Sequence, residues 1–192
     1  GKLSRGLGDV YKRQLGNILR DLGNLQEAER HLRKVIELNP DIVNAHSNLG
    51  NVLRDLGDLQ KAERHLRKAI ELNPDFAIAH SNLGNVLRDL GDLQEAERHL
   101  RKAIELNPDF AIAHSNLGNV LRDLGDLQEA ERHLRKAIEL NPDLVEAQLY
   151  LGSMFRELGN FKEARVCSEK IISLRSWSIK GSYSFNYEMQ LD

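Results

Sequence analysis

A single cysteine, Cys167, stands among 192 residues, so no internal disulfide staples the chain and a reducing, cytoplasmic compartment is expected. No apolar run approaches the roughly 18 residues of a membrane span, and the N-terminus lacks the apolar stretch of a secretory signal. The formal net charge is only -2, which leaves no excess positive charge to hold a phosphate backbone. Neither nucleic acid nor membrane is an expected partner. Catalytic signatures are missing as well: there is no Gly-rich phosphate loop after a strand, no Gly-x-Ser-x-Gly elbow and no His-Glu-x-x-His. The chain therefore reads as non-enzymatic, with no catalytic residue, cofactor or metal expected. What remains is 41% hydrophobic and 29% charged, with only 5% aromatic residues, the profile of a soluble, helix-rich protein.

The strongest positive signal is a repeat. Leu-Gly recurs at Leu15-Gly16, Leu49-Gly50, Leu83-Gly84, Leu117-Gly118 and Leu151-Gly152, always 34 residues apart. Residues 77–110 and 111–144 are identical except at the final position, Phe110 against Leu144. Within one copy, Ala79, Leu83, Val86, Leu87 and Leu90 fall on one stripe of a first helix. Gly91 ends that helix, and Asp92 with Glu95 has the spacing of a capping box that opens a second one. Leu93, Ala96, Leu100, Ala103 and Ile104 form the apolar face of the second helix. Asn107-Pro108-Asp109 stops it, because proline lacks an N–H and disfavours helix at the residue before it, and Asp109 is a new cap candidate. Each copy is thus expected to be a helical hairpin.

The pattern His80-x2-Leu83-Gly84-x2-Leu87, followed by Ala96-x3-Leu100-x2-Ala103 and Pro108, resembles the tetratricopeptide repeat. That resemblance implies an all-α solenoid of antiparallel hairpins wound as a right-handed superhelix, stabilised by each repeat and its neighbours. It covers five units over residues 15–178, the first truncated, with His at the family's usual Trp position and Leu at its usual Tyr and Phe positions. Gly84 is expected where the two helices cross too closely for a side chain. The fifth unit departs most, with Ser168 at the buried Leu position and Ser176 in place of proline. Residues 179–192 carry Tyr183, Phe185, Tyr187 and Met189 and read as a degenerate, truncated sixth first-helix.

All seven histidines belong to the repeat, His46, His80 and His114 at one position and His31, His65, His99 and His133 at another. Equivalent residues one repeat apart are too distant to share a metal, so packing or surface roles are expected. The basic run Arg98-His99-Leu100-Arg101-Lys102 is flanked by Glu97 and Glu105, and Glu97 is spaced to pair with Arg101 on a solvated face.

Beside or opposite the buried stripe of the first helix lie Ile78, Ser81, Asn82, Asn85, Arg88 and Asp89. In the resembled family that face lines a concave groove. The repeat builds three ladders on it: Asn48, Asn82 and Asn116; Asn51, Asn85 and Asn119; and Arg54, Arg88 and Arg122. An Asn amide both donates and accepts, matching the main chain of an extended peptide whatever its sequence. These nine residues form the candidate peptide-binding site, with the arginines attracting acidic side chains. A plain reading stays open, in which Asn and Arg only solvate the face or bond neighbouring repeats.

The Asn ladder and the phrase "AHSNLGNVL" are similar to the repeat arm of O-linked N-acetylglucosamine transferases, where such asparagines hold substrate backbones. That resemblance implies an alternative: a substrate-recruiting or spacer arm of a larger enzyme, such as a glycosyltransferase, whose catalytic domain is missing from this chain. A purely structural scaffold is a further alternative. A second resemblance, to the carboxylate clamp of cochaperones, uses Arg13, Asn17 and Asn48 but fails at Ile78 and Asn82. It also depends on residues 1–14, because Ser4–Gln14 can be encoded by DNA that looks like a sequencing-library transposon adapter. Residues 1–14 are read as adapter-derived and non-native, and without them the remainder is more acidic.

Overall fold

A computed structural model of the chain describes residues 24–188, with side chains to residue 174. Among the described residues there are nine α-helices and no strand, so the all-α expectation is met. The backbone divides into two compact units after Pro108. The first holds α1 (Leu25–Leu38), α2 (Val43–Asp55), α3 (Leu59–Leu72), α4 (Ala77–Leu90) and α5 (Leu93–Leu106). The second holds α6 (Ala111–Leu124), α7 (Leu127–Leu140), α8 (Val145–Glu157) and α9 (Phe161–Glu188).

Within the first unit α2 packs on α3 and α4 on α5 as hairpins, while α2 also meets α4. Each hairpin is closed by small side chains. A Cβ built on Gly84 would lie 2.5 Å from Leu100 Cγ, and one on Gly50 would lie 2.6 Å from Leu66 Cγ. The crossing expected at Gly84 is therefore real, since real Cβ atoms do not approach so closely. The apolar stripes read from sequence are buried, with Ala79, Leu83, Val86, Leu87, Ala96, Leu100 and Ala103 all in the core. Leu90, Leu93 and Ile104 are only half-buried.

The turns follow local chemistry. Gly91 adopts φ 89° and ends α4, its N–H bonding Arg88 O at 2.9 Å while Asp92 N–H reaches Leu87 O at 2.9 Å. Asp92 then caps α5 by accepting from Glu95 N–H at 3.3 Å. Only half of the expected capping box forms. The Glu95 carboxylate turns instead to Arg98, a contact that leads the causes holding it down to about 2.

A second expectation fails at the other end of the hairpin. The aspartate after proline does not cap the next helix: α4 begins at Ala77, its N-cap residue is Phe76, and no side chain caps it. In Asn73-Pro74-Asp75 the Asn73 side chain accepts from Asp75 N–H at 3.1 Å, so asparagine organises the turn.

The second unit repeats this scheme in α6 and α7 and relaxes it in α8 and α9. A Cβ on Gly118 would lie 2.6 Å from Leu134 Cγ, but for one on Gly152 the nearest atom would be Cys167 Cβ, at 3.1 Å. Ser168 occupies the position of Leu134, is exposed, and donates back to Ala164 O at 3.0 Å. Helix α9 continues through residue 188 without a turn at residue 179, where the sequence placed the start of a sixth first-helix. The side chains of that stretch lie outside the described residues, as do Arg13, Asn17 and the opening segment.

Candidate functional site

In the first unit the ladder residues sit on the exposed side of α2 and α4, displaced from the apolar stripe by the helical period. Asn48, Asn51, Asn82 and Asn85 are all half-buried. Asn82 Nδ2 donates to Ser47 Oγ at 3.2 Å, tying α4 to α2. Among the described residues its Oδ1 has no protein partner and the amides of Asn48, Asn51 and Asn85 bond no protein group. Beside them Ile78 is 48% exposed, an apolar element on an otherwise polar face.

The arginines are engaged. Arg54 Nε donates to Asp89 Oδ2 at 2.7 Å, and Arg88 Nη2 donates to Asp89 Oδ1 at 2.8 Å. Burial pushes the Asp89 carboxyl up, but these two guanidinium groups outweigh it and hold the group below the usual carboxylate range. In the second unit Arg122 pairs with Asp123 at 2.9 Å. The arginine ladder is thus half of an Arg–Asp ladder. An incoming acidic side chain must compete with Asp89 and Asp123.

Asn116 and Asn119 on α6 are only 7% and 3% exposed, more enclosed than their counterparts in the first unit. Asn119 Oδ1 and Ser115 Oγ are buried without a hydrogen-bond partner. For Ser115 the cause is legible. By the repeat, the residue that should donate to it as Asn82 donates to Ser47 is position 150, and Tyr150 stands there. The serines were not recognised as a ladder from sequence, and Ser81, placed among the outward residues, is buried. Their signal was present as Ser47, Ser81 and Ser115 directly before the first Asn ladder.

The histidines form a second feature that reading one position at a time did not find. Comparison of equivalents placed them too far apart to share a metal, but histidines 19 residues apart face each other inside three of the hairpins. His46 Nδ1 lies 3.0 Å from His65 Nδ1, His80 Nδ1 2.9 Å from His99 Nδ1, and His114 Nδ1 2.9 Å from His133 Nδ1. Two nitrogens are too few to hold a structural metal, and among the described residues no group of three or more His, Cys, Asp or Glu is placed to do so.

The basic run behaves as a salt-bridged face. Arg101 pairs with Glu97 at 2.8 Å and Lys102 with Glu105 at 2.7 Å, a pattern repeated by Arg67 with Glu63 and Lys68 with Glu71. In the last hairpin the positions of the His pair hold Gln148 and Cys167, which line an open groove of about 440 Å³ together with Leu151, Phe155 and Val166. Burial pushes the Cys167 thiol up, with Arg135 opposing. No helix among the described residues is long and apolar enough to cross a membrane.

Comparison with known proteins agrees with this architecture. The tetratricopeptide-repeat profile matches residues 6–75, 41–108, 75–142 and 109–176. No curated protein sequence matches the chain. Among solved structures, MamA is 27% identical over 86% of this chain and 96% of its own, with a TM-score of 0.66. A thermophilic repeat protein of Thermus thermophilus is 22% identical over 95% of this chain and 100% of its own, with a TM-score of 0.81. YrrB, described as a repeat protein with an unusual peptide-binding site, is 23% identical over 91% of this chain and 90% of its own, with a TM-score of 0.60.

Proposed function

The chain belongs to the tetratricopeptide-repeat family, and we propose that it is a non-catalytic scaffold that captures an extended peptide on the polar face of its first helices. The observation that carries this reading is the state of the asparagines in the first unit. Asn48, Asn51 and Asn85 are half-buried and bond no protein group among the described residues, and Asn82 has a bare Oδ1. Half-buried amides held on rigid helices lose little entropy on binding, and each offers a peptide main chain both a donor and an acceptor.

The arginines act differently from the asparagines. Arg54 and Arg88 both pair with the one carboxylate of Asp89, so their part is to hold the face in shape and to exchange partners with an acidic peptide. Asn116 and Asn119, on α6 of the second unit, offer a peptide less, because they are nearly enclosed. YrrB, whose description names a peptide-binding site, supports peptide capture as a use of such repeats.

The rival reading, a recruiting or spacer arm of a larger enzyme such as a glycosyltransferase, uses the same face and adds a catalytic domain. It is separated by the coding DNA that flanks the chain. Uninterrupted genomic sequence also decides whether residues 1–14 are adapter-derived.

The face itself is tested by selecting unstructured peptides from a random library against the whole chain, then measuring their affinity for it and for N48A/N51A/N85A. We expect a loss of tenfold or more, about 1.4 kcal/mol. Unchanged affinity in a variant with an intact helical spectrum removes the reading.

A further inference from the structure

The histidine pairs are the buried titratable groups that peptide capture does not use, and their geometry fixes where every proton sits. His80 Nε2 lies 3.0 Å from the Pro74 carbonyl, which can only accept, so this nitrogen carries a proton. In a neutral ring His80 Nδ1 is then bare and accepts, and His99 Nδ1, 2.9 Å away, must donate. That leaves His99 Nε2 bare, where it accepts from Arg98 Nη2 at 3.2 Å. His46 repeats the arrangement, its Nε2 donating to Pro40 O at 2.9 Å and its Nδ1 facing His65 Nδ1 at 3.0 Å. Each pair thus shares one proton between facing nitrogens.

We propose that these two pairs make the first unit acid-sensitive, each pair holding its hairpin together in the neutral state and resisting protonation, so that acid draws the unit toward the unfolded chain, whose histidines take up the protons. A first added proton on His99 Nε2 must expel the Arg98 contact. A second places two N–H groups nose to nose across a 2.9 Å gap. Protons have access, because His80 lines an open groove of about 390 Å³ whose walls include Pro74, Arg98 and Lys102.

The charged surroundings mostly resist protonation. Around His80 and His99 lie Arg67 from α3 and Arg98, Arg101 and Lys102 from α5, against Glu95 and Glu105 from α5 and Asp75 from the turn. Around His46 and His65 lie Arg33 from α1 and Arg64 from α3, against Glu29 from α1. Burial, with Arg98 and His80 adding to it, holds His99 down to about 4, and burial with His46 and Arg33 does the same for His65. His80 is lowered too, burial outweighing its bond to the Pro74 carbonyl.

The sign follows from linkage. At His65 and His99 the unfolded chain binds a proton near the ordinary histidine value of about 6.5, the folded chain only near about 4. Stability is complete above the first value and drains away as pH falls toward the second. One local difference sharpens the case: His99 has Glu95 one turn before it, Nε2 to Oε1 3.5 Å, whereas His65 has Lys61 at that position. Lys61 itself bonds Asp58.

The test uses the whole chain. Histidine ring-carbon shifts are followed by NMR from about pH 7.5 to about pH 4, with the melting temperature measured over the same range. We expect the rings of His65 and His99 to remain neutral at about pH 5.5 and the melting temperature to fall by several degrees between about pH 7 and about pH 5. The variants H46Q/H65Q and H80Q/H99Q should each flatten part of that fall, and K61E should raise the midpoint of His65. Titration of His65 and His99 near the ordinary value, a flat melting temperature, or an undiminished slope in folded double variants overturns the proposal. Where a double variant does not fold, the wild-type titration and melting curve decide it.

Discussion

The hairpin α4–α5 and the hairpin α8–α9 are built on corresponding positions, and the substitutions between them include the three residues that make the tight centre of the first. In the first, His80 bonds His99 and Leu100 seats against Gly84. In the last, Gln148, Cys167 and Ser168 occupy those positions, Gly152 meets a cysteine at 3.1 Å, and a groove of about 440 Å³ opens beside it. The backbone remains helical in both. Helix formation therefore tolerates the loss of interior fit. What the regular hairpin adds is a tight crossing and a paired polar centre, which specify one packing of the two helices.

The largest effect should come from the leucine that only the regular hairpin has. Leu100→Ala empties a fully buried site and is expected to cost about 3 kcal/mol, whereas Ser168→Ala, at an exposed position, should stay within about 0.5 kcal/mol. Urea unfolding of both variants measures the contrast, and equal losses would break it. Next is the crossing glycine. Gly84→Ala forces a methyl against Leu100 and should cost about 2 kcal/mol, while Gly152→Ala needs only a small shift of Cys167 and should cost under about 1 kcal/mol.

Acid should separate the two hairpins without mutation. Lowering the pH from about 7 to about 5 should speed hydrogen exchange, corrected for its intrinsic pH dependence, in α4 and α5 relative to α8 and α9, which have no histidine pair. Equal changes would detach the pairs from the stability of their hairpins. The smallest effect is chemical. Burial raises the Cys167 thiol and leaves it 5% exposed, so iodoacetamide at neutral pH should label it several-fold more slowly than the urea-unfolded chain.

Much of this was legible in the sequence. The period placed the hairpins, the Leu-Gly pairs placed the crossings, and the proline before each first helix marked where the preceding helix stops. The misses share a physical cause, because each needed two segments to be seen together. Asp92 and Glu95 have capping-box spacing, but Arg98 competes for the Glu95 carboxylate one turn on. His80 and His99 are separated by a turn, and only the folded hairpin brings their Nδ1 atoms to 2.9 Å. Arg54 read either as a cation for acidic side chains or as a bond to a neighbouring repeat, and only the fold singles out Asp89, one repeat away at 2.7 Å. The asparagines were found because a ladder is visible one position at a time. That Asn82 bonds Ser47 while Asn85 bonds no protein group among the described residues is a matter of helix rotation, which periodicity does not resolve.

The central claim is that main-chain atoms of a peptide bond the half-buried amides of the first unit. The direct test takes one library-selected peptide, a scrambled-side-chain version of it, and a version with alternate backbone amides N-methylated, and measures the affinity of each for the wild-type chain. Capture through the main chain predicts that scrambling changes affinity less than about threefold while N-methylation weakens it tenfold or more. A peptide that tolerates N-methylation but not scrambling would contradict the account.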